Sequence, residues 1–203
     1  MLKNNYSGKF IVFDGLDGSG QSTQAELLRN FLIGKKYQAV LTKEPTLDST
    51  GGEKIRRVLD KKEKISPKEL QELFAQDRKE HLENLVIPAL KEGKVVISDR
   101  YFFSSFAFGS SNGLDLDWLI EINDDFLLPD LTFFLKVSPE VCVSRIIKRN
   151  KEITLFEEKQ KLEKVWQIYK ILPSRFENIY IIEGEKPIKE VFEQIKEIIN
   201  NKL

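Results

Sequence analysis

The sequence predicts an α/β fold in which helices cover both faces of a five-stranded parallel sheet. Three observations support it. Short apolar runs alternate with amphipathic stretches, helix-start signals follow some of these runs, and no repeat or Gly/Pro/Ser-rich linker divides the 203 residues. Strands that alternate with helices form parallel sheets whose two faces are both covered. We therefore expect a single domain over residues 1–203, with ligands bound where the strands end.

The five strands are predicted from short runs that are rich in apolar residues. A buried strand of a parallel sheet is apolar on both faces, so continuous runs of this kind favour a covered sheet. Three of these runs are closed by residues that are typical of strand ends and turns, namely Asp14-Gly15, Asp99 and Pro139. The predicted strands are residues 10–13, 38–42, 94–98, 131–137 and 178–182.

The helices are predicted from apolar stripes and from start signals. A stripe of apolar residues predicts a helix over residues 22–34. Ser66-Pro67 and Ser138-Pro139 each place a capping serine before a proline, which is typical of a first helical turn. The helix that begins after Ser66 should run to about Leu90, with a kink at Pro88. The remaining helices are predicted over residues 51–60, 155–172 and 187–200.

Composition and charge exclude several classes of protein. Hydrophobic residues make up 41% and charged residues 32% of the chain, a composition that is typical of globular proteins. The formal net charge is zero, so we expect no nucleic-acid partner. The sequence has no run of 18 apolar residues and begins with a polar stretch, so we expect a cytoplasmic protein with no membrane partner. One cysteine and one histidine exclude an internal disulfide and most zinc sites.

A candidate phosphate-binding loop, residues 15–23, lies between the first predicted strand and the helix that follows. Gly15, Gly20 and Ser22 fit the pattern G-x-x-x-x-G-K-[ST], whose glycines let backbone N–H groups face an anion. The serine hydroxyl of this pattern binds Mg²⁺. Gln21 stands where the pattern has lysine, so two interpretations stay open: a phosphate loop and an ordinary glycine-rich turn.

Four segments in a fixed order carry a resemblance to a known family. The first is DGLDGSGQSTQ (14–24), which is similar to E-G-x-D-G-x-G-K-[ST]-T-Q. The others are TKEP (42–45) with GEKIR (52–56), LFAQDRKEH (73–81), and SDRY (98–101) followed by Ser104, Ser105, Ala107 and Phe108. Together they resemble the thymidylate kinase family of P-loop nucleoside monophosphate kinases, with Gln21 in place of the loop lysine.

The resemblance implies a fold, a reaction and an assembly. The fold would be a three-layer, P-loop NTPase-type domain with a small lid at about residues 145–156. The reaction would transfer the γ-phosphoryl group of ATP to dTMP, with Mg²⁺, giving ADP and dTDP. The assembly would be a homodimer, as is usual in the family. Besides Gln21, Gly109 departs from the pattern, because many bacterial members have there a glutamine that reads the base.

By resemblance, the donor nucleotide and its metal belong to the phosphate loop and to a neighbouring strand end. Asp99 would bind Mg²⁺ together with Ser22, and Arg100 beside it would bind phosphate. The alternative is that Asp99 and Arg100 form only an exposed ion pair. The residues implied in donor binding are Gly15, Leu16, Asp17, Gly18, Ser19, Gly20, Gln21, Ser22, Thr23 and Arg145. Those implied in catalysis are Asp17, Gln21, Arg100 and Arg149.

In the family, a catalytic arginine lies either in the phosphate loop or in the lid. Because this loop contains no arginine, the resemblance implies the lid type. Arg149 is the first candidate and Arg145 the second. Either Arg149 or Lys148 could compensate for the missing loop lysine. The alternative is that these residues form a solvated basic helix end, which complements the helix dipole.

The acceptor residues are likewise implied by the resemblance. Phe74 would stack on thymine, and Arg78, four residues later on the same helix face, would hydrogen-bond its carbonyl edge. Two alternatives stay open: Phe74 is simply a core residue, and Arg57 replaces Arg56 as the ligand of the acceptor phosphate. The implied acceptor-binding residues are Asp17, Arg56, Phe74, Arg78, Arg100, Ser105 and Phe108. Asp17 would accept from the 3′-hydroxyl, and Phe108 would leave no room for a 2′-hydroxyl.

Three functions follow from the sequence, in order of preference. The first is a dTMP kinase. The second is a related kinase with a broader choice of nucleoside monophosphate, which Gly109 favours. The third is a nucleotide-binding protein without turnover, which Gln21 favours.

Overall fold

A computed structural model describes residues 1–46, 49–148 and 159–203. The predicted parallel sheet is confirmed, and its five strands lie in the order β3-β4-β2-β6-β7. A second, two-stranded parallel sheet pairs β1 with β5. The strands are β1 (Leu2–Lys3), β2 (Lys9–Gly15), β3 (Ala39–Lys43), β4 (Val95–Asp99), β5 (Leu127–Leu128), β6 (Leu131–Lys136) and β7 (Ile179–Glu183).

Helices cover both faces of the five-stranded sheet. One core cluster packs α5 and α8 against one face, and a second packs α1 and α9 against the other. The helices are α1 (Gln21–Gly34), α2 (Gly52–Leu59), α3 (Pro67–His81), α4 (Ile87–Lys91), α5 (Phe102–Ser111), α6 (Leu116–Glu121), α7 (Pro139–Lys148), α8 (Lys159–Ile171) and α9 (Ile188–Lys202). None of these described helices has the length and apolar character that a membrane crossing requires.

The register of the central strands brings three strand ends together. Asp99, the last residue of β4, pairs with Lys43 of β3 on one side and with Phe13 of β2 on the other. Gly15, which ends β2, pairs with Leu135 of β6. The carboxyl ends of β3, β4 and β2 therefore lie side by side at one edge, where ligands bind in parallel α/β sheets.

Two details of the predicted helices follow from capping and from proline. Ser66 caps α3 as expected, since its side chain accepts a hydrogen bond of 3.1 Å from the Glu69 N–H. The predicted kink at Pro88 is wrong in detail, because a π-helical turn, Leu82–Val86, already interrupts the helix before the proline. Pro88 has no N–H, and its ring would crowd the carbonyl of Asn84 in a regular α-helix, so the wider turn relieves that clash.

Helices α5 and α6 and the small sheet were missed by the sequence analysis. Helix α5 carries buried residues all round its first two turns, including Phe102, Phe103 and Phe106, so its sequence has no apolar stripe. Helix α6 is only one and a half turns long, and β1 and β5 have two residues each. Such short elements carry too little periodicity to be recognised.

Candidate active site

The phosphate loop follows β2 and leads into α1, as predicted. Gly18 and Gly20 have φ of +83° and +104°, a left-handed conformation that favours glycine. A β-carbon on Gly18 would also lie 2.6 Å from the carbonyl oxygen of Cys142 in α7. Glycine is therefore required at 18 both for the turn and for the close approach of α7. The Ser19 hydroxyl is buried without a hydrogen-bond partner among the described residues, so it is free for a ligand.

A buried carboxylate anchors the base of the loop. Asp14 Oδ1 accepts hydrogen bonds from the Gly15 N–H (2.9 Å), the Ser104 hydroxyl (2.6 Å) and the Tyr169 hydroxyl (2.7 Å). Burial raises the pKa of Asp14, although Arg100, 3.9 Å away, and the hydrogen bonds lower it. Asp14 thus ties the loop to α5 and α8, a role that the sequence analysis did not assign to it.

Gln21 and Arg100 form a joint network with the loop. Gln21 Nε2 donates to the Gly15 carbonyl (2.8 Å), and Gln21 Oε1 accepts from Arg100 Nη2 (3.2 Å). Arg100 also pairs with Asp17 and donates to the Gly15 carbonyl (3.2 Å) and the Ser104 hydroxyl (2.7 Å). The three residues predicted as catalytic at this end of the site, Asp17, Gln21 and Arg100, are therefore in contact.

The candidate metal ligands meet where α1 begins beside β4. The Ser22 hydroxyl donates to Asp99 Oδ2 (2.5 Å), and Lys43 Nζ lies 3.0 Å from the same oxygen. Asp99 Oδ1 is buried and has no hydrogen-bond partner in the described part of the chain. One carboxylate and one hydroxyl suit Mg²⁺, which usually combines one or two protein ligands with water and substrate phosphates. The donor set and the orphaned oxygen therefore fit Mg²⁺.

Arg145 connects the loop with the segment that follows β7. Its Nη1 donates to the Ser19 carbonyl and its Nη2 to the Gly184 carbonyl, both at 3.1 Å. The predicted donor-binding residue Arg145 is thus placed against the loop. Arg149 and the rest of the predicted lid, residues 149–156, lie outside the described residues.

A separate, buried network holds Arg78. Arg78 donates to Glu44 Oε2 (2.8 Å), Asn123 Oδ1 (2.5 Å) and the Ser105 hydroxyl (3.3 Å). Glu44 Oε1 lies 3.0 Å from His81 Nδ1. A guanidinium has five N–H donors, and Arg78 uses three of them in hydrogen bonds within the described part of the chain, which leaves two for a ligand. Sequence reasoning missed Glu44 and Asn123 as partners of Arg78.

Two aromatic side chains accompany these arginines. Phe108 is buried, and the Arg100 guanidinium lies 5.6 Å from its ring centroid. Phe74 is half-buried at the edge of the larger core cluster, on the same helix as Arg78. The rings nearest the Arg78 guanidinium are those of Tyr101 (5.3 Å) and Phe126 (5.9 Å), so the pairing of Phe74 with Arg78 around a base stays a prediction. Arg100 adjoins both Phe108 and the phosphate loop.

Arg56 stands apart from the other predicted site residues. It is exposed on α2, and its Nε lies 3.1 Å from Asp60 Oδ1. Arg57 forms a similar exposed pair with Glu63, at 2.9 Å. No hydrogen bond or ion pair in the described ranges joins Arg56 to the rest of the site, so the choice between Arg56 and Arg57 stays a prediction.

Comparisons with known proteins agree with this architecture. A family model described as thymidylate kinase matches residues 13–195. The chain is 40% identical over 202 residues to a probable thymidylate kinase of Pyrococcus horikoshii, covering 97% of this chain and 98% of that one. It is 36% identical over 201 residues to a thymidylate kinase of Caldicellulosiruptor saccharolyticus, with coverage of 97% and 98%. The fold, the phosphate loop and these matches together show that the chain belongs to the thymidylate kinase family.

Proposed function

We propose that this protein transfers the γ-phosphoryl group of ATP to dTMP, giving ADP and dTDP, with Mg²⁺ as cofactor. The observation that carries the proposal is the position of Arg100 between the two halves of the site. It contacts Asp17, Gln21 and the Gly15 carbonyl on the loop side, and its guanidinium lies over Phe108 on the other. A cation in this place can contact both a donor phosphate and an acceptor phosphate.

The donor half consists of the phosphate loop, α1 and α7. Backbone N–H groups of residues 15–23, with the positive end of α1, would bind the ATP phosphates. The Ser19 hydroxyl is unpartnered among the described residues, and Arg145 holds the Ser19 carbonyl. Asp99 and Ser22 would hold Mg²⁺, which neutralises phosphate charge when bound.

The acceptor half would bind dTMP between α3 and α5. Phe74 offers a ring face for thymine, and Arg78 has N–H donors left for a carbonyl of the base. Phe108 would pack on the sugar, Asp17 would accept from the 3′-hydroxyl, and Arg56 would bind the 5′-phosphate. Arg78 cannot swing away, because its partners Glu44, Asn123 and Ser105 are buried with it.

Arg100 can also compensate for the lysine that Gln21 replaces in the phosphate loop. An amide cannot neutralise phosphate charge, whereas Arg100 brings a permanent positive charge to within 3.2 Å of the amide oxygen. We propose that Arg100, together with Arg149 of the lid, supplies the charge that the loop lysine supplies elsewhere in the family. The homodimer, the cytoplasmic location and the single domain with a lid at residues 145–156 stay predictions.

An ADP-release assay with MgATP tests the proposal. The acceptors are dTMP, dUMP, dGMP, dAMP, dCMP and UMP, each supplied at the same concentration. We expect turnover with dTMP to exceed that with every other acceptor. Turnover spread over several acceptors would indicate the broader kinase that Gly109 favours. Binding of ATP without turnover would contradict the proposal and support a non-catalytic nucleotide-binding protein.

A further inference from the structure

A buried glutamine on α3, Gln71, lies on the helix face that carries the proposed base contacts. It precedes Phe74 by three residues and Arg78 by seven, a spacing that puts all three on one side of the helix. Gln71 is 3% exposed, although its side chain is polar.

The amide of Gln71 lies against Gly109 of α5. A β-carbon built on Gly109 would lie 3.4 Å from Gln71 Cδ and 2.8 Å from Leu119 Cδ1. Residue 109 therefore cannot carry a side chain without displacing Leu119, and the Gln71 amide fills part of the space in front of it. One turn before Gly109 in α5, the Ser105 hydroxyl accepts a hydrogen bond of 3.3 Å from Arg78. Gln71 and Arg78 thus both face α5 from α3, Gln71 at Gly109 and Arg78 at Ser105.

The Gln71 amide has hydrogen-bonding capacity that the described protein does not use. Its Oε1 is buried and has no hydrogen-bond partner among residues 1–46, 49–148 and 159–203. Buried polar atoms nearly always have a partner, so an orphaned buried oxygen calls for a ligand or a water molecule. The exposed Gln76 on the same helix differs, since its Nε2 lies 3.4 Å from Glu80 Oε1.

A thymine ring presents the group that this oxygen lacks. Its Watson–Crick edge has one N–H between two carbonyl oxygens. Arg78 can donate to a carbonyl but cannot accept from the N–H, because a guanidinium has no acceptor. A carboxamide both accepts and donates. The side of α3 that faces α5 therefore offers N–H donors at Arg78 and, among the described residues, an unpartnered acceptor at Gln71.

We propose that Gln71 is a specificity-determining residue whose Oε1 accepts a hydrogen bond from the ring N–H of thymine or uracil in the acceptor nucleotide. This inference rests on the proposed function, because it needs the acceptor to lie between α3 and α5. The glutamine would bind the base without taking part in phosphoryl transfer, so its loss should affect acceptor binding and leave the chemical step nearly unchanged.

The test compares Gln71→Met with Gln76→Met. Each variant replaces a glutamine of α3 by methionine, which is unbranched and similar in volume to glutamine. Calorimetry gives the Kd of each variant for dTMP and for 2-deoxyribose 5-phosphate, which has the sugar phosphate without the base. We expect Gln71→Met to raise the Kd and KM for dTMP about tenfold, as for one lost hydrogen bond, with kcat within about threefold. Binding of 2-deoxyribose 5-phosphate should not change, and Gln76→Met should behave as the unsubstituted protein.

Two controls separate an effect on base binding from an effect on folding. Removal of an orphaned buried amide should not lower the Tm of the ligand-free protein, and Gln71→Leu serves as a second variant if the methionine variant does not fold. Unchanged dTMP binding in the folded variant, or equal weakening of dTMP and 2-deoxyribose 5-phosphate, would overturn the role of Gln71. Absence of dTMP phosphorylation by the unsubstituted protein would instead overturn the proposed function.

Discussion

The two halves of the site hold an arginine in different ways. On the donor side, Arg100 lies at a strand end and contacts Asp17, Gln21, Ser104 and a backbone carbonyl of the phosphate loop. On the base side, Arg78 is buried, and its partners come from several distant segments of the chain. Most partners of Arg100 therefore belong to one short loop, whereas the Arg78 network depends on how several segments pack together. Loss of Arg100 should accordingly lower the rate more than the stability, and loss of Arg78 should lower the stability.

The largest effect is expected at Arg78. Arg78→Met removes one partner of a buried pair, whose Nε and Oε2 atoms lie 2.8 Å apart, and leaves Glu44 without it. Breaking a buried pair in this way costs about 3–5 kcal/mol in the free energy of unfolding. Urea unfolding measures that loss, and Arg57→Met, which breaks an exposed pair, is the matched control. Equal stability of the two variants would contradict a structural role for the Arg78 network.

Arg100 should matter more for turnover than for stability. Arg100→Met removes the cation that contacts Asp17 and Gln21, and loss of one preorganised charge-stabilising donor lowers kcat by about 10²–10³-fold. Steady-state assay with MgATP and dTMP measures the loss. Arg100→Lys keeps the positive charge but lacks the two-pronged guanidinium, so its kcat should lie between those of Arg100→Met and the unsubstituted protein. A kcat within about threefold of the unsubstituted protein would show that Arg100 does not stabilise the transferring phosphoryl group.

A smaller, pH-dependent effect is expected at Tyr169. Burial raises the pKa of Asp14 above its ordinary value of 3.8, so the folded state binds more protons between the two values. The free energy of unfolding therefore falls as pH rises through this window. The Tyr169 hydrogen bond opposes the shift, because it stabilises the ionised carboxylate. Tyr169→Phe should thus move the window to higher pH.

Urea unfolding at a series of pH values above about 4 checks this expectation. Tyr169→Phe should cost about 1.5–3 kcal/mol once Asp14 is ionised, and less at lower pH. Tyr101→Phe is the matched control, because the Tyr101 hydroxyl is buried without a hydrogen-bond partner among the described residues. It should be neutral or stabilising. The same cost for both variants at every pH would rule out the bond from Tyr169 to Asp14.

The smallest effect should occur at the edge of the acceptor half. Arg56→Met removes one exposed side chain and should leave stability nearly unchanged, because exposed ion pairs contribute little. If Arg56 binds the acceptor phosphate, the KM for dTMP rises about tenfold, the loss of roughly one charge-assisted hydrogen bond. Arg57→Met should not change the KM. The reverse result would assign the phosphate to Arg57.

The sequence was informative where function depends on a local pattern. The strand, glycine turn and helix of residues 9–34 form one continuous motif, so this loop could be predicted from spacing, although Gln21 left an ordinary glycine-rich turn open until the family resemblance was considered. The helix starts at Ser66 and Ser138 could be recognised for the same reason. In each case neighbouring residues determine the structure.

The sequence was uninformative where partners are distant. Glu44, Arg78 and Asn123 belong to three segments, and only the packing of those segments shows that they share hydrogen bonds. Helix α5 could not be predicted from an apolar stripe, because its own buried residues lie on all sides of its first two turns. Gln71 could not be singled out either, since its burial and its neighbour Gly109 follow from how α3 packs on α5.

The central claim is that the phosphate loop is built around the amide of Gln21, with Arg100 carrying the charge. Gln21→Lys tests it most directly, because lysine cannot accept the hydrogen bond from Arg100 and brings a second cation next to it. The kcat for dTMP phosphorylation is measured for both proteins at saturating MgATP. Our account predicts that kcat falls in Gln21→Lys. A rise in kcat would contradict it and would show that the loop lacks the lysine without compensation.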